Sequence, residues 1–526
     1  MTYDEAVRYL MTLGAELAAP RQPARCAALP AAKFDLRNIS ALADRMDAPH
    51  LAYPTAHIAG TNGKGSTAAM LESILRAAGM RTGLFTSPHL ERINERIRVD
   101  GEPVSDAGFA EAFTRVQALS EVLLASGSLG AHPTFFECVT AMAFEHFARC
   151  APSPGAPVRS CHPEPAAQAT SCHPERSEGS ALDSSPSEDA DSSSRRGSAS
   201  PPLLGMTEGK RGVDFAVFEV GLGGRLDSTN ILQPEVAVIT QIDFDHENYL
   251  GQSIPEIAAE KAGIIKPGAW VVSAAGRPEA REVIRRRCAQ QAARLVEIDD
   301  AYEIETTERP GGRPGECPGE CIVVRERSTR RSIEFTLPLA GRFQVRNAVT
   351  ALAAARLLGE RGLAIDDAAI AAGLGSVRWP GRLERIAERP EVVLDGTHNP
   401  AGARELVAYW QERWTGRRVH LIFGAVRDKA VDEIAGLLFP LAETVFITSP
   451  RQPRAISATA LHEMTAHHAA RCQLVADPAE ALDRALAATA PDDVVLATGS
   501  LYLVGELRRA WQARAARSGQ AVRQAS

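Results

Sequence analysis

At 526 residues the chain exceeds the usual size of one hydrophobic core, so two domains of roughly 100 to 250 residues, with insertions and a cleft between them, are expected. Lys and Arg number 58 against 65 Asp and Glu, a net charge of -7, and no extended basic stripe of the kind a nucleic-acid backbone demands is present, which argues against nucleic acid as a partner. Met1-Thr2-Tyr3-Asp4-Glu5 has neither a basic n-region nor an apolar stretch, no run of about 18 apolar residues occurs, and the scattered cysteines fit reduced thiols, so a soluble, cytoplasmic protein with no membrane contact is expected.

Tyr3, Val7, Leu10, Met11, Leu13 and Leu17 recur at helical spacing and predict an opening amphipathic helix. An α/β unit follows. Pro54 to Ala59 reads as a buried strand, the segment from Gly60 to Ser66 as a glycine loop, and Ser66 to Ala78 as a helix ended by Gly79. A strand at Thr82 to Phe85, helices at Asp106 to Ala125 and Phe135 to Arg149, and strands at Phe215 to Val220 and Val236 to Thr240 continue the alternation of a parallel sheet with crossover helices. Between Pro152 and Gly212 the composition shifts to Ser, Pro, Glu, Ala and Arg, and Ser160-Cys161-His162-Pro163-Glu164 repeats as Ser171-Cys172-His173-Pro174-Glu175. That repetition favours a disordered, removable surface insertion over a set of zinc ligands. Arg309 to Glu320 reads as a second insertion beside a pair of strands, and Cys317 and Cys321 have no second Cys/His pair to complete a tetrahedral metal site. Beyond Trp379-Pro380-Gly381-Arg382, a candidate hinge, strands at Val392 to Asp395, Val419 to Phe423, Val445 to Thr448 and Val494 to Ala497 predict a second, doubly wound domain.

Gly60-Thr61-Asn62-Gly63-Lys64-Gly65-Ser66 lies between strand and helix, where glycines let backbone N–H groups close around phosphate and Lys64 neutralises its outer oxygens. Its spacing is shorter than the common P-loop, so the pattern alone does not establish nucleotide binding. Ser66 or Thr67 either touches magnesium or caps the helix. Glu219 stands at the carboxyl end of a strand, a place suited to a magnesium-binding carboxylate, and His246 just past the next strand is a candidate ligand of the same ion. Lys261 reads as a solvated helix residue and Asn347 as an ordinary one. Asp395-Gly396-Thr397-His398 either grips a ribose or phosphate across the cleft or belongs to a turn capped by Asn399, and Arg382 is the cation placed to swing with the hinge.

Taken together these segments resemble the folylpolyglutamate synthase and dihydrofolate synthase family of the Mur ligase superfamily. The resemblance rests on His57 to Ser66, Thr86-Ser87-Pro88-His89-Leu90 with Asn94 to Ile97, Phe135-Phe136-Glu137, Glu219 to Asn230, Asp245-His246, Glu260 to Gly268, Trp379 to Arg382, Asp395 to Pro400, and Thr498 to Tyr502. It implies an N-terminal P-loop-type ATP-binding domain with a mostly parallel sheet over 1–379, a smaller Rossmann-like glutamate-ligase domain over 380–517 and a tail at 518–526. By the same resemblance Thr61, Asn62, Gly63, Lys64, Gly65, Ser66, Asn347, Arg382, Asp395 and His398 bind ATP, and Ser87, Glu219, His246 and Lys261 serve magnesium, Lys261 as a carbamate. Lys64, Lys261, His246 and Arg382 are then the catalytic set, while Thr134, Phe135, Phe136, Glu137, Leu226, Asp227 and Ser228 match pterin-contacting positions. Thr397 in place of the usual Ala, and Ile242-Asp243-Phe244 in place of a smaller stretch, depart from the family pattern without removing a ligand. The implied activity is that of a monomeric ligase using ATP and Mg2+ to add L-glutamate to dihydropteroate or to a folate through an acyl phosphate. The rival readings are a Mur-type ligase acting on a cell-wall nucleotide precursor and a nucleotide-binding module without catalysis.

Overall fold

The computed structural model describes residues 1–13, 35–149, 212–308, 320–427 and 429–525. Leu17, both expected insertions apart from their flanking residues, and Cys317 lie outside these. Eight strands form the first sheet: β1 (Thr55–Ala59), β2 (Thr82–Phe85), β3 (Ile97–Val99), β4 (Glu102–Pro103), β5 (Phe215–Glu219), β6 (Val236–Ile239), β7 (Trp270–Ser273) and β8 (Arg294–Glu297). Their order is β4-β3-β2-β5-β1-β6-β7-β8, and all pairings from β2 to β8 are parallel, with β3 and β4 antiparallel at one edge. β1, β5 and β6 are buried along their whole length, as continuous apolar runs in a sheet covered on both faces must be. Alternation along β5 divides the core: Phe215 and Val217 meet the helices Lys64–Ala77, Arg342–Glu360 and Asp367–Ser376, whereas Ala216 and Phe218 meet Asp106–Ala125 and Phe135–Arg149.

A three-stranded antiparallel sheet, β9 (Tyr302–Glu308), β10 (Glu320–Glu326) and β11 (Ser332–Leu337), adds its apolar face to the first of these cores. The second large sheet contains β12 (Glu384–Glu388), β13 (Glu391–Leu394), β14 (Val419–Phe423), β15 (Thr444–Ile447), β16 (Cys472–Leu474) and β17 (Val494–Thr498) in the order β12-β13-β17-β14-β15-β16. Only β12 runs antiparallel, and helices bury both faces. The mixed α/β architecture with two separate sheets matches the sequence expectation. The strands expected at Val392 to Asp395 and Val445 to Thr448 each lie within one residue of β13 and β15.

Trp379 to Arg382 lies between the helix Asp367–Ser376 and β12, and Gly381 (φ +74°) brings this connection against Leu90 and Val504. The final helix, Leu501–Ala525, includes most of the expected tail at 518–526. Near its start Gly505 lies so close to the Leu90 carbonyl that no side chain would fit, and Arg508 bridges Glu91 of the first lobe and Glu384 of the second. This helix straps the lobes together. No helix among the described residues is long and apolar enough to cross a membrane.

Candidate active site

A cavity of about 860 Å³ opens where the carboxyl ends of both sheets face one another. It is lined by the residues that follow β1, β2, β5, β6 and β7 on one side and β13 and β17 on the other, the position at which open α/β sheets bind ligands. The glycine loop forms its floor. Gly63 takes the left-handed conformation (φ +84°) as N-cap of the helix Lys64–Ala77, so the helix begins two residues before the expected Ser66. Neither Ser66 nor Thr67 is the cap: Ser66 lies inside the first turn, where its Oγ accepts from Gln344 Nε2 at 3.3 Å. The amide groups of that turn have no intrahelical partners and carry the positive end of the helix dipole. Thr61 anchors the loop to the segment beyond β6, its N–H donating to Gln241 O at 2.7 Å and its hydroxyl to Asp243 O at 2.9 Å.

Two lysines converge beneath this loop. Lys64 Nζ donates to the carbonyls of Gly60 and Thr61, both at 3.1 Å, and Lys261 Nζ donates to the same Gly60 carbonyl at 2.8 Å. Burial lowers the Lys64 amine, with Glu219 and Asp245 opposing the shift. Lys261 is 4% exposed, which overturns its reading as a solvated helix residue. The pattern misled because the helix Ile254–Ala262 turns this face onto the loop rather than to water. Burial, reinforced by the charge of Lys64, brings the Lys261 amine down to about 7.

Glu219 ends β5 and points into the cleft, its Oε2 accepting from Ser87 N at 3.0 Å. Burial raises this carboxyl against the pull of Lys64. Ser87 and His246 line the same cavity, and His246 holds a left-handed backbone (φ +54°) at the start of the short helix Glu247–Leu250. Sequence reasoning missed a neighbour of this group. Lys429, in the loop after β14, sends its ammonium across the cleft to Asp245 Oδ1 at 2.7 Å and His246 Nε2 at 3.1 Å. An ammonium only donates, so His246 Nε2 accepts with the lone pair that a cation would use. Burial opposes ionisation of Asp245, but Lys429 outweighs it and holds that carboxyl well below the usual range. The available signal was position: Lys429 follows the carboxyl end of a parallel strand, as the other cleft residues do.

From the second lobe come Arg382, Asp395 and His398, all lining the cavity. Arg382 is lowered by burial, with Asp395 and Glu219 opposing. Both Asp395 oxygens are engaged by backbone, Oδ2 by Leu383 N at 2.9 Å and Oδ1 by Thr397 N at 3.0 Å, so this carboxylate shapes the turn. His398 Nδ1–H donates to Gly396 O at 2.8 Å, and burial with the nearby Lys429 brings the imidazole down to about 4. Asn399 does cap the helix Pro400–Arg413, accepting from Gly402 N at 2.8 Å, yet it also exchanges hydrogen bonds with the Asn62 side chain at 2.9 and 3.2 Å. Cap and cleft contact are thus one residue, not alternatives. Asn347 lies on the helix Arg342–Glu360, with Oδ1 packed against Gly63 and Nδ2 donating to Gln344 Oε1 at 3.0 Å.

The expected pterin-contacting residues lie behind the cavity wall rather than in its lining. Thr134 and Glu137 cap their helix reciprocally, Thr134 N donating to Glu137 Oε2 at 2.7 Å and Glu137 N to Thr134 Oγ1 at 3.2 Å. The Phe136 ring abuts Gly221, which does line the cavity, and Phe135 is buried in the core of its helix layer. Asp227 accepts from Gly221 N and Leu222 N, both at 2.9 Å, and from Thr229 N at 3.0 Å, holding the loop that carries Leu226 and Ser228.

Residues 202–355 match the Mur ligase middle domain and residues 381–501 the Mur ligase glutamate ligase domain. A dihydrofolate synthase/folylpolyglutamate synthase of Bacillus subtilis is 32% identical over 91% of this chain and 95% of its own. Among solved structures, Mycobacterium tuberculosis folylpolyglutamate synthase complexed with ADP and AMPPCP superposes with a TM-score of 0.71 at 31% identity, covering 90% of this chain and 95% of that one. E. coli FolC in complex with DHPP and ADP gives a TM-score of 0.73 at 25% identity, with 98% of each chain covered. Two facing α/β lobes, a glycine loop with its lysine and these matches along nearly the whole length agree: the chain belongs to the folylpolyglutamate synthase and dihydrofolate synthase family of the Mur ligase superfamily.

Proposed function

We propose that this chain is an ATP-dependent ligase that joins the amine of L-glutamate to a carboxylate of dihydropteroate, of a folate glutamate tail, or of both. The observation that carries this reading is one cleft in which a phosphate loop, two buried lysines, a buried carboxylate and cations from a second lobe converge. A carboxylate oxygen of the acceptor attacks the γ-phosphorus of ATP, releasing ADP and leaving an acyl phosphate, whose phosphate the glutamate amine then displaces. Lys64 and Arg382 supply positive charge at the transferring group, and the closed lobes exclude water that would hydrolyse the acyl phosphate. Glu219, Ser87 and His246 would supply a carboxylate, a hydroxyl and, with Lys429 displaced, an imidazole lone pair to magnesium or manganese. When bound, such a cation neutralises phosphate charge. Asn62, Asn347, Asp395 and His398 frame the nucleotide side of the cleft, and the Phe136-backed loop from Gly221 to Ser228 frames the acceptor side.

The Lys261 amine, close to half neutral near pH 7, is a nucleophile able to add to CO2, and the anionic carbamate would sit beside Lys64. Nuclear magnetic resonance with carbon-13-labelled bicarbonate should give a carbamate signal that Lys261→Arg lacks; a signal unchanged in the variant refutes the modification. The reading includes a monomer acting on small molecules in the cytoplasm, supported by one chain furnishing both walls of the cleft. Product mass spectrometry with dihydropteroate and with tetrahydrofolate, each with ATP and glutamate, should detect a glutamyl adduct with at least one acceptor. ADP release without an adduct on either would refute the assignment.

A further inference from the structure

Away from the cleft, three side chains of the second lobe converge on one point. Asp432 lies in the first turn of the helix Val431–Leu438, and the turn Ala466–His468 directs two consecutive imidazoles at it. His468 Nε2 is 2.9 Å and His467 Nε2 3.8 Å from the same oxygen, Asp432 Oδ1, and the two ring centroids are 3.9 Å apart. None of the three lines the cavity. As an ion pair the arrangement is poor, because one carboxylate faces two rings tilted at 41° with centroids only 3.9 Å apart. As a donor set it is coherent. One oxygen and two nitrogens lie within 4.8 Å of one another. Gly436, one turn beyond Asp432 on the same helix, presents bare backbone beside the His468 ring: a Cβ there would be 3.4 Å from His468 Cε1, in van der Waals contact.

We propose that Asp432, His467 and His468 form a binding site for a borderline divalent transition-metal ion such as zinc, nickel or cobalt. Two imidazoles favour such ions over magnesium, whose ligands are mainly oxygens. Donor atoms in a tetrahedral zinc shell with bonds of about 2.0 Å lie about 3.3 Å apart, so the side chains must close slightly around the ion. Asp432 and His467 are exposed and His468 half-buried, so rotation of the first two meets little resistance. Three protein ligands leave the remaining positions to water.

The test is calorimetric titration of the full chain with zinc chloride in a magnesium-saturated buffer, beside Asp432→Asn and the double variant His467→Ala/His468→Ala. The unsubstituted chain should take up one zinc equivalent that the double variant lacks and that Asp432→Asn binds about tenfold more weakly. Zinc taken up elsewhere is common to all three proteins and cancels. ADP release with magnesium alone should be the same in all. Equal zinc uptake by the double variant, or none by the unsubstituted chain, overturns the proposal. Should circular dichroism find the double variant unfolded, His467→Ala, whose ring is largely exposed, decides by the same criterion.

Discussion

Lys64 and Lys261 share the Gly60 carbonyl, and the close approach of these two amines is offset by nearby carboxylates, Glu219 and Asp245 at Lys64 and Asp245 at Lys261. An arriving phosphate would draw Lys64 off the loop. Lys64→Ala should therefore lower ADP formation about a thousandfold with dihydropteroate and with tetrahydrofolate alike, measured by a coupled ADP assay; an active variant would contradict the site. His57 supplies a pH prediction. It lies fully buried behind the loop, with Nε2 2.8 Å from Thr229 Oγ1, and burial with the nearby Lys266 brings it down to about 3. The folded protein keeps this ring neutral where the unfolded chain protonates it. Stability is therefore full above the ordinary histidine range and falls as pH drops from about 6.5 toward 3. Denaturant titrations over that window should give a slope reduced by about one proton in His57→Gln, and an unchanged slope would refute the assignment. Residues at strand ends, Lys64 and Glu219 among them, were legible because the strand pattern itself places them. Lys429 was not, since its partner Asp245 lies 184 positions away and no local pattern encodes that meeting.

Elements carry the catalytic geometry through their starts. The helix Lys64–Ala77 begins at a residue with positive φ, and a side chain at Gly63 would run into Asn347 Oδ1. Gly63→Ala thus combines backbone strain with a clash against the second cleft helix. It should destabilise the fold by about 1–3 kcal/mol, seen as a lowered Tm, and raise KM for ATP because the first-turn amides shift. An unaltered Tm and KM would mean the loop is not held as described. Most strands of the parallel sheets were legible from apolar runs between glycine-rich turns, though β7 was not among them. β8 and β16 were not, since both are edge strands, half-exposed and short, and so give no continuous apolar run. The early start of the phosphate-loop helix was hidden for another reason. Its cap is a glycine with no side-chain hydrogen bond, and cap reading depends on polar side chains.

For the molecule as a whole, the chain on either side of the expected insertion at 152–212 is already joined: Val213 N donates to Phe147 O at 2.9 Å. Replacing Pro154 to Lys210 with a short Gly/Ser linker should leave ligase activity within about twofold and the unfolding midpoint unchanged, because every described cleft and core residue is kept. A folded but inactive deletion would assign the segment a role. The Pro380 and Gly381 punctuation suggested a hinge in the sequence, but the strap was not legible, for it unites residues near positions 90, 384 and 508. That strap limits how this protein can be recombined. Each lobe has its own sheet and core, yet Gly505 meets the bare carbonyl of Leu90, and Arg508 needs Glu91 and Glu384 together. A chimera that borrows one lobe from a relative must therefore borrow the matching Leu90-Glu91 segment or the first turns of the last helix with it. The lobes are inherited as a fitted pair, not as interchangeable cassettes.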